Sequence, residues 1–277
     1  REQAKERLYE KLKNMKATDN TKQVYDNSFK TMMVRTPRFN IPLLNEFFGT
    51  DYTMNDVVEL KYNENTGIYT GFQIKRRTTD SKLQVDGKRY HLECESNANA
   101  EIAIRLFEYD WLDAVNHVER EEGVYVVRLQ NSGLLFLRSN QNTPQSYTYR
   151  LLLPGGQEAE YKVPVVKNLD YSLEDIFEKQ LYMLLPFYVL RYEKQYKAIA
   201  KQQEEQLGEK EQERLAELLA YDLDSIYNEL KNKVQQGELE DYERGMMCQL
   251  LWNVGSQVFH KLPVLQKRMV NAMGGQV

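Results

Sequence analysis

The strongest folding signal in the sequence is the dipeptide Asp86-Gly87, which lies between two segments in which polar and apolar residues alternate. Asp-Gly favours a two-residue type I′ turn, because both residues of that turn need positive φ. The turn fixes the register of the strands on either side, so that Leu83 faces Tyr90. The sequence therefore predicts a β-hairpin whose side chains can be assigned to two faces.

The two faces of this hairpin differ in chemistry, since successive side chains of a strand point to opposite sides. One face is apolar and is expected to pack on the core: Ser81, Leu83, Val85, Tyr90, Leu92 and Cys94. The other face is polar: Asp80, Lys82, Gln84, Arg89, His91, Glu93 and Glu95. The polar face is open to two interpretations, a solvated surface or a site that gathers acids for a chemical purpose.

Three carboxylates on the polar face are candidates for binding a metal ion. Asp80 is predicted to lie directly opposite Glu93, with Glu95 on the diagonal, and like charges at facing positions destabilise a sheet. A cation between them would remove that cost, and two or three carboxylates suit Mg²⁺. In the alternative interpretation, Lys82 neutralises Glu93 and the face is an ordinary solvent-facing surface.

Composition limits the partners of such a site. The chain has 277 residues, of which 42% are hydrophobic and 11% aromatic, and this is too apolar for a disordered protein. Its formal net charge is -4 at pH 7, so a surface for nucleic acid has to be a local patch. Basic side chains cluster in the hairpin and beside it, and they are the candidates for such a phosphate-contacting patch: Arg76, Arg77, Lys82, Arg89 and Arg105.

The residues after the hairpin predict a mixture of helix and strand. Residues 99 to 117 carry apolar side chains at helical spacing. Residues 124 to 129 form an apolar, β-branched run that predicts a buried strand. Further strand patterns continue to Val166, and the last two are joined by the turn signal Pro154-Gly155-Gly156. This order predicts a mixed α/β core.

Helical patterns dominate the rest of the chain. Ser172 and Asp175 have the spacing of a capping box, so a helix should begin there, and Pro186 should kink or break it. Further on, apolar residues three or four positions apart form a narrow helical seam: Leu215, Leu219, Leu223, Ile226, Leu230 and Val234. The seam either packs on its own core or joins two copies in a homodimer.

We expect three parts along the chain: a helical arm at residues 1–17, an α/β core at 18–196 and a helical region at 197–277. Two cysteines, Cys94 and Cys248, form neither a zinc pattern nor a disulfide framework, which is typical of a reducing compartment. No apolar run reaches the roughly 18 residues that span a bilayer, and no signal peptide is visible. These features favour a cytoplasmic protein without a membrane segment.

An Asp that opens a strand, a short turn, and an acidic Glu-x-Glu on the next strand before a helix together resemble the motif of the PD-(D/E)xK nucleases. More particularly, the chain resembles the recombination-promoting nuclease / putative transposase branch of that superfamily, over roughly residues 20 to 195. The segments that carry the resemblance are DNSFK at 26–30, LLNEFFG at 43–49, TDSKLQVDGKRYHLECES at 79–96, RLFEYDW at 105–111 and VPVVKNLDYSLEDIFEKQLYMLLPFYVLRYEK at 163–194.

The resemblance implies a restriction-endonuclease-like mixed sheet flanked by helices, and cleavage of DNA with Mg²⁺ or Mn²⁺ in recombination or in mobile elements. It implies that Asp80 and Glu93 bind the metal ion and that Glu95 completes the catalytic set. The family has Lys or Gln at the third position, so Glu95 is either an added ligand, a base or the mark of a degenerate site. The alternative function is therefore a catalytically degenerate DNA- or protein-binding module, and a weaker one is a small-molecule hydrolase.

Overall fold

The computed structural model describes residues 21–61, 66–70, 73–77, 82–204 and 209–260, together with Lys267 and Met269. These residues form two compact units: a sheet unit, Phe29–Asp170, and a helical unit made of the described residues up to Ser28 and from Tyr171 onward. The predicted core at 18–196 covers the sheet unit and the first elements of the helical unit. The predicted arm at 1–17 lies outside the described residues, and the predicted domain boundaries stay predictions.

Up to the end of the sheet, the described part of the chain forms helical elements, then five strands, one further helix and five more strands. The helices are α1 (Thr21–Arg35), a 3₁₀ turn (Pro37–Phe39), α2 (Asn40–Phe48), α3 (Ala100–Asn116) and a second 3₁₀ turn (Asn168–Asp170). The strands are β1 (Glu59–Lys61), β2 (Thr66–Thr70), β3 (Gln73–Arg77), β4 (Lys82–Val85), β5 (Lys88–Glu95), β6 (Glu119–Glu121), β7 (Val124–Val126), β8 (Asn131–Phe136), β9 (Ser146–Leu152) and β10 (Glu158–Lys167).

Six of these strands form one mixed sheet in the order β1-β4-β5-β8-β10-β9. Strand β8 runs parallel to both β5 and β10, whereas β4 pairs antiparallel with β1 and β5, and β9 pairs antiparallel with β10. Helix α3 lies in the connection between the parallel strands β5 and β8, as parallel neighbours require a crossover. The predicted α/β class with a mixed sheet and helices is confirmed.

The β4–β5 hairpin has the predicted register. Leu83 faces Tyr90 and Val85 faces Lys88. Asp86 and Gly87 form the turn with φ values of 48° and 73°, as a type I′ turn requires. The hairpin is therefore an element that local sequence specified correctly.

The apolar face of the hairpin packs under α2. Tyr90 contacts the Phe48 ring at a centroid distance of 5.2 Å, and its hydroxyl lies 2.8 Å from that of Tyr52. On the neighbouring strand β8, Gly133 lets the Phe47 ring approach so closely that a Cβ there would lie 2.9 Å from it. A larger residue at position 133 would thus push α2 away from the sheet.

The opposite face of the sheet is covered by α3, and this overturns one interpretation of the hairpin. Helix α3 is capped at its N-terminus by Asn99, whose side chain accepts a hydrogen bond from the backbone N–H of Glu101 at 2.9 Å. Its apolar side chains form a core with those of β8 and β10: Ile102, Ala103, Leu106, Leu134, Phe136, Val163 and Val165. The polar side chains of β5 lie on that same face, so the expectation of a solvated surface is wrong for this strand.

The prediction of a buried strand at residues 124 to 129 is also wrong. Strand β7 pairs with β6 in a separate two-stranded ladder, and Val124 and Tyr125 are 63% and 71% exposed. The strands are joined by Glu122 and Gly123, which have φ values of 48° and 88°. A tight local turn thus paired this apolar run with its sequence neighbour, outside the main sheet.

The helical unit continues with α4 (Leu173–Glu178), a 3₁₀ segment (Tyr182–Tyr192), α5 (Glu193–Glu204), α6 (Glu209–Gln235) and α7 (Asp241–Val258). Ser172 caps α4 in a capping box with Asp175, as predicted. Pro186 lies within the buried 3₁₀ segment, consistent with its lack of an N–H for the α-helical pattern.

The predicted apolar seam is buried in α6 from Leu215 to Leu230. It therefore contributes to the core of its own unit, and the homodimer stays a prediction. Within the residues that the structure describes, no helix combines the length and the apolar character needed to cross a membrane.

Candidate active site

Strand β5 carries three polar side chains in a row on the face beneath α3. His91, Glu93 and Glu95 alternate with apolar residues along the strand, and they are 0%, 4% and 6% exposed. Their neighbours on β8 are Ser132, Leu134 and Phe136, so two glutamates lie next to large apolar side chains. Burying a carboxylate is costly unless a cation or hydrogen-bond donors compensate for the lost water.

The buried negative charge of Glu95 is compensated by an arginine of α3. The Arg105 guanidinium donates through Nη2 to Glu95 Oε1 at 2.6 Å. The Arg105 side chain is 34% exposed, so the partner of this buried carboxylate is itself partly open to solvent. The residue that departs from the nuclease motif is thus paired with a positive charge from a different element.

One ring nitrogen of His91 is held by Asp110, a buried aspartate of α3. His91 Nδ1 lies 2.8 Å from Asp110 Oδ1. Asp110 also accepts hydrogen bonds from Gln130 Nε2 at 2.7 Å, from Ser132 Oγ at 2.6 Å and from the Tyr161 hydroxyl. These hydrogen bonds compensate both oxygens of the buried carboxylate for the loss of water.

The second ring nitrogen of His91 points at Glu93. His91 Nε2 lies 3.4 Å from Glu93 Oε1, a close ionic contact that is longer than a well-formed hydrogen bond. Burial lowers the pKa of His91, but the interactions with Asp110 and Glu93 outweigh it and raise the pKa to about 9. The imidazole is therefore protonated at neutral pH, and it lies between two carboxylates.

Two basic side chains of the hairpin form ion pairs with a second acid of α3. Lys82 forms an ion pair with Asp113, and Arg89 Nη1 lies 3.6 Å from Asp113 Oδ2. Lys82 thus pairs with Asp113 of the helix, whereas the solvated-surface interpretation had it neutralise Glu93. Three of the residues predicted to contact DNA, namely Lys82, Arg89 and Arg105, are engaged with acids of the same unit.

Other predicted site residues cannot be placed. Asp80 lies outside the described residues, so its position opposite Glu93 stays a prediction. Arg76 and Arg77 belong to β3, but their side chains also lie outside the described part.

Two acids of the site were not identified from the sequence, although a signal was present. Asp110 and Asp113 lie three residues apart on α3 and occupy the buried side of the helix together with Leu106 and Ala114. An acidic residue in the apolar register of an amphipathic helix indicates a buried ion pair or a polar site. The apolar spacing of residues 99 to 117 predicts the helix but by itself assigns these two acids no role.

The donors of this site fit a hard cation in chemistry but do not form a complete cage. Among the described residues, no group of three or more His, Cys, Asp or Glu is placed to hold a metal ion. Mg²⁺ commonly uses one or two protein carboxylates and fills its other positions with water and phosphate oxygens. Glu93 and Asp80 would make such a pair.

Comparison with known proteins gives no further constraint. No protein-family model, curated protein or solved structure matches the chain. The function therefore has to be inferred from the site itself.

Proposed function

We propose that the chain is a metal-dependent DNA endonuclease of the PD-(D/E)xK type, which hydrolyses phosphodiester bonds in recombination or in mobile elements. The observation that carries the proposal is the burial of Glu93 and Glu95 on a central strand that follows a two-residue turn and precedes α3. This order of elements is the one that the sequence motif implies. Glutamate is rarely this buried without a pairing or chemical role.

In this proposal Asp80 and Glu93 would hold Mg²⁺, or Mn²⁺ in its place, and the ion would supply an activated water and neutralise charge at the scissile phosphate. The protein contributes a fixed and largely dry setting. The apolar side chains of Leu134 and Phe136 flank the glutamates, and α3 covers them. A carboxylate held in such a setting interacts more strongly with a cation than one in water does.

The Arg105–Glu95 ion pair supports activity despite the departure from the family pattern. An unpaired carboxylate at position 95 would repel the phosphodiester that has to approach. Arg105 offsets this charge at 2.6 Å, and its exposed part remains available to a phosphate oxygen. Arg76, Arg77, Lys82 and Arg89 complete the proposed DNA-contacting set, although Lys82 and Arg89 would contact phosphate while also bound to Asp113.

A second candidate function is a catalytically degenerate module that binds DNA or protein. The same ion pairs favour it, because Asp110, Asp113 and Glu95 each have a basic or hydrogen-bonding partner within the unit. A network in which every buried charge has a partner within the protein can favour one folded conformation without taking part in catalysis. The two candidates differ in whether Glu93 acts on a metal ion.

The deciding experiment is a cleavage assay with the purified full chain. Supercoiled plasmid and single-stranded DNA are incubated in Mg²⁺, in Mn²⁺ or in EDTA, with wild type, Asp80→Ala and Glu93→Gln. We expect nicking by wild type in the metal buffers and none in EDTA or with either variant. Glu108→Gln is the matched control, because Glu108 is an exposed glutamate of α3 and loses the same charge.

The outcomes separate the candidates. Cleavage that both variants lack and the control retains supports the endonuclease. Cleavage that all variants retain would remove the hairpin acids from the mechanism. No cleavage with either metal and either substrate would leave the binding module as the better account.

A further inference from the structure

His91 lies in a line of three side chains, Asp110, His91 and Glu93, that joins α3 to the proposed metal-binding residue. The two contacts of the ring are 2.8 Å from Nδ1 to Asp110 and 3.4 Å from Nε2 to Glu93. The ring has no exposed surface. Its neighbours in the sheet are Lys82 on one side and Ser132 on the other.

The orientation of this ring is fixed by what holds Asp110. Gln130, Ser132 and the Tyr161 hydroxyl donate to the same carboxylate, so Asp110 is anchored from three further positions. With Nδ1 engaged by this anchored carboxylate, Nε2 can only point at Glu93. Nε2 is buried, and among the described residues the polar group that faces it is the Glu93 carboxylate at 3.4 Å.

We propose that His91 is a positioning residue that holds the Glu93 carboxylate in the orientation needed to bind a divalent metal ion. This inference rests on the proposed function and extends it from the ligand to the group behind the ligand. Carboxylates that bind metals are themselves held by partners, and loss of such a partner commonly weakens metal binding about 10- to 100-fold.

If His91 served only to donate a hydrogen bond to Asp110, its Nε2 contact with Glu93 would not be required. Asp110 needs one further donor where Nδ1 lies, and an asparagine side chain can supply an N–H at that position. The substitution His91→Asn therefore retains the donor toward Asp110 and removes the atom that faces Glu93. The matched control is His260→Asn, the same substitution at a histidine that takes no part in this network and whose Nδ1 lies 2.9 Å from the Gln257 carbonyl oxygen.

The test measures Mn²⁺ binding to the full chain by isothermal titration calorimetry, without DNA and without cleavage. We expect His91→Asn to bind Mn²⁺ about 10- to 100-fold more weakly than wild type. His260→Asn should bind it with nearly the wild-type affinity. Cleavage assays should then show that a higher Mn²⁺ concentration rescues His91→Asn but not Glu93→Gln.

A second measurement needs no substitution at His91, in case the variant does not fold. The sequence contains three histidines, His91, His117 and His260, so ¹⁵N-histidine labelling gives a small set of resonances. Addition of Mg²⁺ to wild type should shift the Nε2 resonance of His91 and leave those of His117 and His260 unchanged. The shift should vanish in Glu93→Gln.

The results distinguish failure of this inference from failure of the proposed function. If wild type binds Mn²⁺ but His91→Asn binds it equally well, or the His91 resonance does not respond to Mg²⁺, the positioning role is overturned and the metal site stands. If wild type binds no divalent metal, the proposed function and the positioning role both fall.

Discussion

At the scale of single residues, the site is determined by how its buried charges are compensated. Asp110 is fully buried and accepts hydrogen bonds from His91, Gln130, Ser132 and Tyr161. Removing a donor leaves part of a buried charge without a partner, which costs more than a neutral hydrogen bond contributes. The stability of the sheet unit should therefore be sensitive to single atoms around this aspartate.

Tyr161→Phe should lower the free energy of unfolding by about 1.5 to 3 kcal/mol, the range for hydrogen bonds to charged groups. The matched control is Tyr149→Phe, because Tyr149 belongs to the same aromatic group as Tyr161 and lies 6.2 Å from it between centroids. Urea denaturation of both variants measures the difference. Equal losses for the two variants would show that the Asp110 contact adds nothing to stability.

The charges of Glu95 and Arg105 should be exchangeable as a pair but not singly. Glu95→Lys places a cation beside Arg105, so we expect it to destabilise the fold, and Arg105→Glu should do so through the opposite repulsion. The double variant restores an ion pair, and a coupling free energy of about 1 to 3 kcal/mol is expected for residues in one network. Urea denaturation of the four proteins provides this value.

The same four proteins test the meaning of Glu95 for catalysis. Glu95→Lys alone introduces the lysine of the nuclease motif that the chain resembles and also breaks the ion pair with Arg105, so a change in its activity would have two causes. In the double variant the pair is restored with lysine on β5. Cleavage by the double variant that exceeds wild type would identify the native site as a weakened form of the family pattern, and lower cleavage would give Glu95 itself a role.

At the scale of elements, a glycine in a turn and a glycine inside a helix should have opposite effects on stability when replaced by alanine. Gly87→Ala should destabilise the β4–β5 hairpin by about 1 kcal/mol, because φ at this position is 73° and a Cβ is unfavourable there. Gly245→Ala is the matched control in the interior of α7, where a Cβ meets nothing within 4 Å. That variant should gain about 0.5 to 1 kcal/mol, since alanine favours helix over glycine. Thermal denaturation should therefore shift in opposite directions.

The capping box of α4 should make part of the stability depend on pH. Hydrogen bonds from the side chain and backbone of Ser172 lower the pKa of Asp175 below its ordinary value of 3.8. A pKa that is lower in the folded state contributes stability above the ordinary pKa, and this is lost as pH falls through the folded value. Ser172→Ala should cost about 1 kcal/mol at neutral pH. Denaturation at a series of pH values should show this difference shrinking below pH 3.8.

At the scale of the whole molecule, binding of a metal ion to the folded state should raise the stability of the chain by mass action. At a free Mn²⁺ concentration of about 100 Kd, the expected gain is about 2.7 kcal/mol. Glu93→Gln should show no gain, because it lacks a proposed ligand. Thermal denaturation with and without Mn²⁺ at constant ionic strength measures both, and an equal gain in wild type and variant would place the metal ion away from Glu93.

The sequence alone determined the local elements of this protein. Asp86 and Gly87 specified the hairpin and its register, and Ser172 with Asp175 specified the start of α4. These features follow from the chemistry of a few adjacent residues, so neighbours distant in the chain do not change them. The same is true of the α3 helix, whose spacing and cap are local.

Only the tertiary structure decided which side of each element is buried and which charges pair. The polar face of β5 resembles a solvated surface in the sequence, but α3 packs on β8 and β10 and thereby covers Glu93 and Glu95. The pairing of Arg105 with Glu95 depends on the same docking of the helix on the sheet. A hydrophobic period shows that an element has an apolar side, whereas its partners are set by contacts between segments far apart in the chain.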